Sequence, residues 1–75
     1  MMKVYIISMS AERRDANAAL IRDWFGMMDV RRAISEPDGY LASNECDVFF
    51  DSEMQTVDYF FTDAHLACLF KMRFE

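Results

Sequence analysis

Eight carboxylates stand between Ala33 and Phe70 with no Lys or Arg among them: Glu36, Asp38, Glu45, Asp47, Asp51, Glu53, Asp58 and Asp63. All eight basic residues of the chain fall outside that window. Carboxylates so arranged create a negative field, which repels the phosphate backbone of nucleic acid and attracts basic protein surfaces. The sequence therefore predicts a protein-binding face built from Glu45, Asp47, Asp51, Glu53, Asp58 and Asp63, and no direct contact with nucleic acid. Two plainer roles compete with it. The acids could form a solubilising face, or Asp47, Asp51 and Asp58 could be edge-strand charges that block strand-to-strand aggregation.

The residue types used for catalysis are sparse. His65 is the only histidine, and no Ser or Cys stands at a recognisable nucleophile spacing from it. Cys46 and Cys68 form no C-x-x-C, and a single His does not complete a usual zinc set. Asp51 and Glu53 make a possible carboxylate pair, but only Gly26 and Gly39 are present, too few for a phosphate-cradling loop. A calcium loop needs more acids at fixed spacing around a central Gly. The expectation is a protein that is not an enzyme and holds no metal or cofactor.

The chain has 75 residues, enough for one small domain over 1–75. A domain of this size is marginally stable unless a metal, disulfides or a partner subunit supports it. Two cysteines are not a disulfide framework and read as reduced thiols packed like small apolar side chains. The apolar content of 53%, with eleven aromatics, argues against disorder and leaves apolar surface for a partner. No apolar run reaches the ~20 residues of a membrane span. Val4 to Met9 is too short for a signal-peptide core. The expectation is a soluble, intracellular protein that does not engage membranes.

The elements follow from periodicity. Lys3 to Met9 reads as a strand, apolar on both faces and so central in a sheet. Ser10 is a helix N-cap, and Ala11 to Phe25 reads as one amphipathic helix. Its stripe is Ala16, Leu20, Ile21, Trp24, Phe25 and Met28, with Trp24 in the core and Gly26 as the C-terminal stop. Val30 to Ser35 reads as a short strand or an irregular connection. Pro37-Asp38-Gly39 is a turn, with Tyr40 and Leu41 tucked back onto the core. Cys46 to Asp51 and Gln55 to Phe61 read as a hairpin joined through Ser52-Glu53-Met54, with Val57, Tyr59 and Phe61 on one face. Thr62 or Asp63 caps a helix from Ala64 to Leu69. Phe70, Met72 and Phe74 then alternate with Lys71, Arg73 and Glu75, which predicts a closing half-buried strand; the alternative is a helix running on to Arg73.

The resulting order is βαββαβ, a small ferredoxin-like α+β sandwich, or βαββα if the chain ends in a helix. Two helices would cover one sheet face and leave aromatic side chains on the other. That predicts a homodimer through the uncovered face or an edge strand.

The run Phe61 to Phe74, FTDAHLACLFKMRF, resembles the tails of short tailed-phage proteins of unassigned function. Those often place an acidic turn and an Ala before a terminal F-K-x-R-aromatic run. The resemblance covers about a fifth of the chain. It implies a phage gene product expressed in a host bacterial cytoplasm and implies no chemistry. Together with the charge segregation it leads to a phage-encoded interaction protein, whose acidic face binds and inhibits a basic surface of a host protein, such as a nucleic-acid-binding one. The alternatives are a structural or accessory virion component, and a small thiol- or His-dependent enzyme using Cys46, Cys68 or His65.

Overall fold

Alternation of apolar and polar residues builds the sheet, and three-and-four spacing builds the helices that cover one side of it. The computed structural model describes residues 3–32 and 45–75. The elements are β1 (Tyr5–Ser10), α1 (Ala11–Ala16), α2 (Ala18–Met27), β2 (Arg31–Arg32), β3 (Glu45–Asp51), β4 (Thr56–Phe61) and α3 (Ala64–Phe74). The class is α+β. Its sheet has the order β1-β4-β3-β2. Both β1 and β3 are antiparallel to β4, and the two-residue β2 lies parallel to β3.

Cross-strand rows assign the faces. Tyr5, Phe61 and Cys46 share one row, Ile7, Tyr59 and Val48 another, and Met9, Val57 and Phe50 a third. These odd residues of β1 and β4, with the even residues of β3, form the covered face. Val57, Tyr59 and Phe61 are buried together, as the alternation of β4 predicts. Trp24 and Phe25 of α2 and Phe70 and Phe74 of α3 pack on them. Phe70 is the hub: its ring centroid lies 4.7–5.9 Å from those of Trp24, Phe25, Tyr59, Phe61 and Phe74. The Cα envelope is 17 Å thick, about one sheet plus one helical layer, so among the described residues no second layer covers the opposite face.

Three sequence expectations are corrected. The closing strand Phe70 to Phe74 does not form, because α3 continues to Phe74. Phe70 and Phe74, four residues apart, stack on the helix face that meets the core, whereas Met72 is 77% exposed. The apparent alternation was two inward phenylalanines and an unrelated surface methionine. The βαββαβ order goes with that strand, and β1 is at the sheet edge rather than central, as a ferredoxin-like arrangement would require. Apart from β2 and a helix broken in two, the order follows the βαββα alternative.

The second correction is the break in the first helix. Ser10 caps α1 by accepting from the Arg13 N–H at 3.2 Å. At Asn17 the helix interrupts: the Asn17 amide donates to the Arg13 carbonyl at 2.9 Å, and its backbone N–H is shared between the Arg13 and Arg14 carbonyls. The phase slips there. Ile21 and Trp24 stay buried, but Ala16 and Leu20, placed on the same stripe by an unbroken helix, are exposed. Third, Gly26 is not the stop. The Val30 N–H bonds to the Phe25 carbonyl and the Asp29 N–H to the Gly26 carbonyl, the paired bonds of a Schellman ending. Asp29 takes the left-handed conformation there, at φ 54°. The expected turn at Pro37-Asp38-Gly39 and the packing of Tyr40 and Leu41 lie outside the described residues, as do Glu36 and Asp38.

The core geometry separates two residues that the sequence treated alike. Phe70→Ala should cost about 3–5 kcal/mol, the range for a buried aromatic, whereas Met72→Ala should change stability by less than about 0.5 kcal/mol. Urea denaturation of the two variants measures both; equal losses would restore the strand reading.

Candidate functional site

The even residues of β1 and β4, with the odd residues of β3, form the face that no helix among the described residues covers. Ile6, Phe60 and Asp47 share one row, Ser8, Asp58 and Phe49 the next, and Ser10, Thr56 and Asp51 the last. Apolar groups and carboxylates are therefore interleaved. Ile6 is 57% and Phe49 56% exposed, with Val4 exposed beside them and Phe60 half-buried. Within β1, β3 and β4 none of the residues on this face is a Lys or Arg; Arg31 of β2 shares the row of Glu45 at the far edge.

The structure divides the six predicted acids. Asp47, Asp51 and Asp58 lie together on the uncovered face. Asp58 is not an edge-strand charge, because β4 is central; β2 pairs β3 only at Glu45 and Cys46, so among the described residues Asp47 and Asp51 keep an edge position. Asp58 accepts a hydrogen bond of 2.6 Å from the Ser8 hydroxyl across the sheet. Asp47 accepts from the Val48 N–H at 2.9 Å. Asp51 accepts from the Glu53 and Met54 N–H groups at 3.0 and 3.2 Å. That Asx turn, followed by Gln55 at φ 53°, shapes the hairpin. Asp51 thus has a structural task besides its charge. Glu53 is exposed in the turn. Asp63 is the N-cap of α3, accepting from the His65 and Leu66 N–H groups at 2.8 and 3.2 Å. Glu45 opens β3 opposite Arg31. Ile6, Phe49 and Phe60, the apolar half of the face, were not picked out from the sequence; the hairpin register would have found Phe49 and Phe60.

The groups that could do other chemistry are apart. Cys46 is buried in the core, and Cys68 is exposed on α3, where its thiol lies 3.9 Å from the Met72 sulfur. His65 is exposed in the first turn of α3. Among the described residues, no group of three or more His, Cys, Asp or Glu is placed to hold a metal ion. No helix among them is long and apolar enough to cross a membrane. On the covered side, a groove of about 250 Å³ is lined by Ile21, Phe25, Val48 and Tyr59, with Arg14 and Arg22 as its charged members. Burial of Tyr59 in this region raises its phenol pKa above the ordinary value; Arg14 pulls it down and Cys46 adds to the rise. No protein family, curated protein or solved structure matches the chain.

Two outcomes follow from these local roles. Asp63→Ala should cost about 1 kcal/mol, the usual loss of an N-cap, and Asp63→Asn much less; thermal melts of the pair check this. A raised folded-state pKa means that the unfolded chain releases the Tyr59 proton first. The stability so contributed is complete below about pH 10, the ordinary tyrosine pKa, and is lost as pH rises toward the folded-state value. Tyr59→Phe should therefore reduce the loss of stability above pH 10. Parallel alkaline profiles in wild type and variant would contradict that.

Proposed function

We propose that this chain is a non-enzymatic interaction protein whose uncovered sheet face seats a basic, partly apolar surface of another protein and thereby inhibits it. One observation carries the reading: Asp47, Asp51 and Asp58 share a face with exposed Ile6 and Phe49 and half-buried Phe60. A purely solubilising face accounts for the carboxylates but gives no role to the apolar side chains between them. An interface needs both, since buried apolar anchors supply affinity while charge steers the encounter and sets specificity. The partner's surface should present Lys or Arg spaced around an apolar patch.

The resemblance of Phe61 to Phe74 to short tailed-phage proteins supplies the setting: a host bacterial cytoplasm, with a host protein as partner. The resemblance marks no chemistry of its own. Its two aromatic positions, Phe70 and Phe74, serve the core, and its acidic residue Asp63 serves as a cap. Asp51 and Asp63 hold local structure, so they are poor positions for testing charge. Asp47 and Asp58 are better, because Asn at either keeps a hydrogen-bond acceptor for Val48 or Ser8.

The test is co-purification from host lysate at low and physiological salt with wild type, Asp47→Asn/Asp58→Asn and Asp47→Lys/Asp58→Lys. A specifically retained partner should bind more weakly as salt shortens the Debye length toward about 8 Å. It should bind the Asn pair less, and the Lys pair more than tenfold less, with unchanged helix content. Ile6→Ala/Phe49→Ala should also weaken it. A partner held equally by wild type and the Lys pair would remove this face from the mechanism. Chain found instead in purified virions would favour a virion component.

A further inference from the structure

Among the described residues β1 is a free edge of the sheet, and it is uncharged along its whole length. β1 reads Tyr5-Ile6-Ile7-Ser8-Met9-Ser10, preceded by Val4, with no Pro, no charge and no bulge in its pairing to β4. Native edge strands usually carry at least one such protection. The register also fixes which backbone groups face outward. The Ala11 N–H donates to the Gln55 carbonyl at 2.8 Å, one step beyond the β1–β4 ladder and in the same register. Backbone groups alternate along an antiparallel ladder. The odd residues of β1 therefore turn their N–H and C=O groups toward β4, and Val4, Ile6 and Ser8 turn theirs away from the sheet, as does the N–H of Ser10, whose carbonyl opens α1. Ser8 and Asp58 are then a non-hydrogen-bonded pair, where opposed side chains come closest, in keeping with their 2.6 Å side-chain bond.

We propose that β1 pairs antiparallel with β1 of a second copy, across a two-fold axis at Ile7, to give one continuous sheet. This register overlaps Val4 to Ser10 in both copies. It sets Ile6 opposite Ser8, where each copy satisfies the other's outward donors and acceptors, and Val4 opposite Ser10, whose N–H alone is left to pair because its carbonyl opens α1. Charge selects a second copy at this edge over a second copy on the open face. Stacking two open faces would press Asp47, Asp51 and Asp58 of one chain on those of the other. Edge pairing joins strands without charge. The two open faces merge into one, with Ile6 of both copies near its centre.

The dimer stands without the basic partner; only the widened binding face rests on that reading. The direct measurement is amide hydrogen exchange of Ile6 and Ser8 across protein concentration, with sedimentation velocity alongside. At tens of micromolar the chain should sediment as a dimer, with both amides protected, and on dilution the protection should fall as monomer appears. Ile6→Lys and Ser8→Pro should sediment as monomers; Pro at Ser8 removes an outward N–H and leaves the β4 ladder intact. Asp47→Lys/Asp58→Lys should remain dimeric even where it loses the basic partner. A wild-type monomer at tens of micromolar overturns the proposal. So does a dimer whose Ile6 and Ser8 amides exchange freely, or one that a folded Ile6→Lys leaves intact.

Discussion

The fold depends on one aromatic contact set, the Phe70 ring enclosed by Trp24, Phe25, Tyr59, Phe61 and Phe74. Each of these rings comes from α2, β4 or α3, so a single side chain ties both covering helices to the central strand. Trp24 meets Phe25, Phe61, Phe70 and Phe74 edge-on, the geometry that suits aromatic quadrupoles and adds roughly 0.5–1.5 kcal/mol per pair beyond area burial. A chain of 75 residues has few such contacts to spread its stability over. Concentrating them on one side of the sheet is what leaves the other side open.

That concentration also explains what the sequence disclosed. The strict alternation of Val57, Tyr59 and Phe61 survived folding because a strand has only two faces and one was needed for the core. The register of the hairpin then set Asp47 and Asp58 beside Phe49 and Phe60 on the other face. The acidic run was legible, as were a cap at Thr62 or Asp63, which the structure places at Asp63, and the core role of Trp24. The end of the chain was not. Phe70, Met72 and Phe74 satisfy a two-residue period and, with Met72 discarded, a four-residue one. Only the position of Trp24 and Phe61 decides between them, and those partners are distant in sequence. The break at Asn17 was hidden for a similar reason. A side-chain amide bonding to a carbonyl four residues back shifts the helical phase, while composition on either side still reads as one helix.

The acids differ in what they owe to local structure. Asp63 and Asp51 would be favoured where they stand with no partner in view, because a helix start and a tight turn each leave N–H groups for a carboxylate to accept. Asp58 bonds to Ser8 and Asp47 to the backbone of Val48, yet a neutral Asn could accept both bonds. Their charge is therefore surplus to the fold, and the functional reading rests on those two.

Charge placement relates the open face to the free edge. Carboxylates occupy the outer face of β3 and β4, while β1 holds none and presents Ile6 and Ser8 to that same face. Negative charge thus rises from β1 through β4 to β3, and the two arginines of β2 lie beyond it. Asp47 and Asp51 charge the outer stretch of β3 that β2 does not reach, whereas β1 has no such charge. The position of the acids suits a surface that repels its own copies face to face, tolerates one beside it, and attracts a partner of opposite charge. The Ser8 hydroxyl sits at the junction of the two regions. Its bond to Asp58 holds a carboxylate of the open face to the edge strand, so a copy paired along β1 would lie one strand away from a fixed negative group.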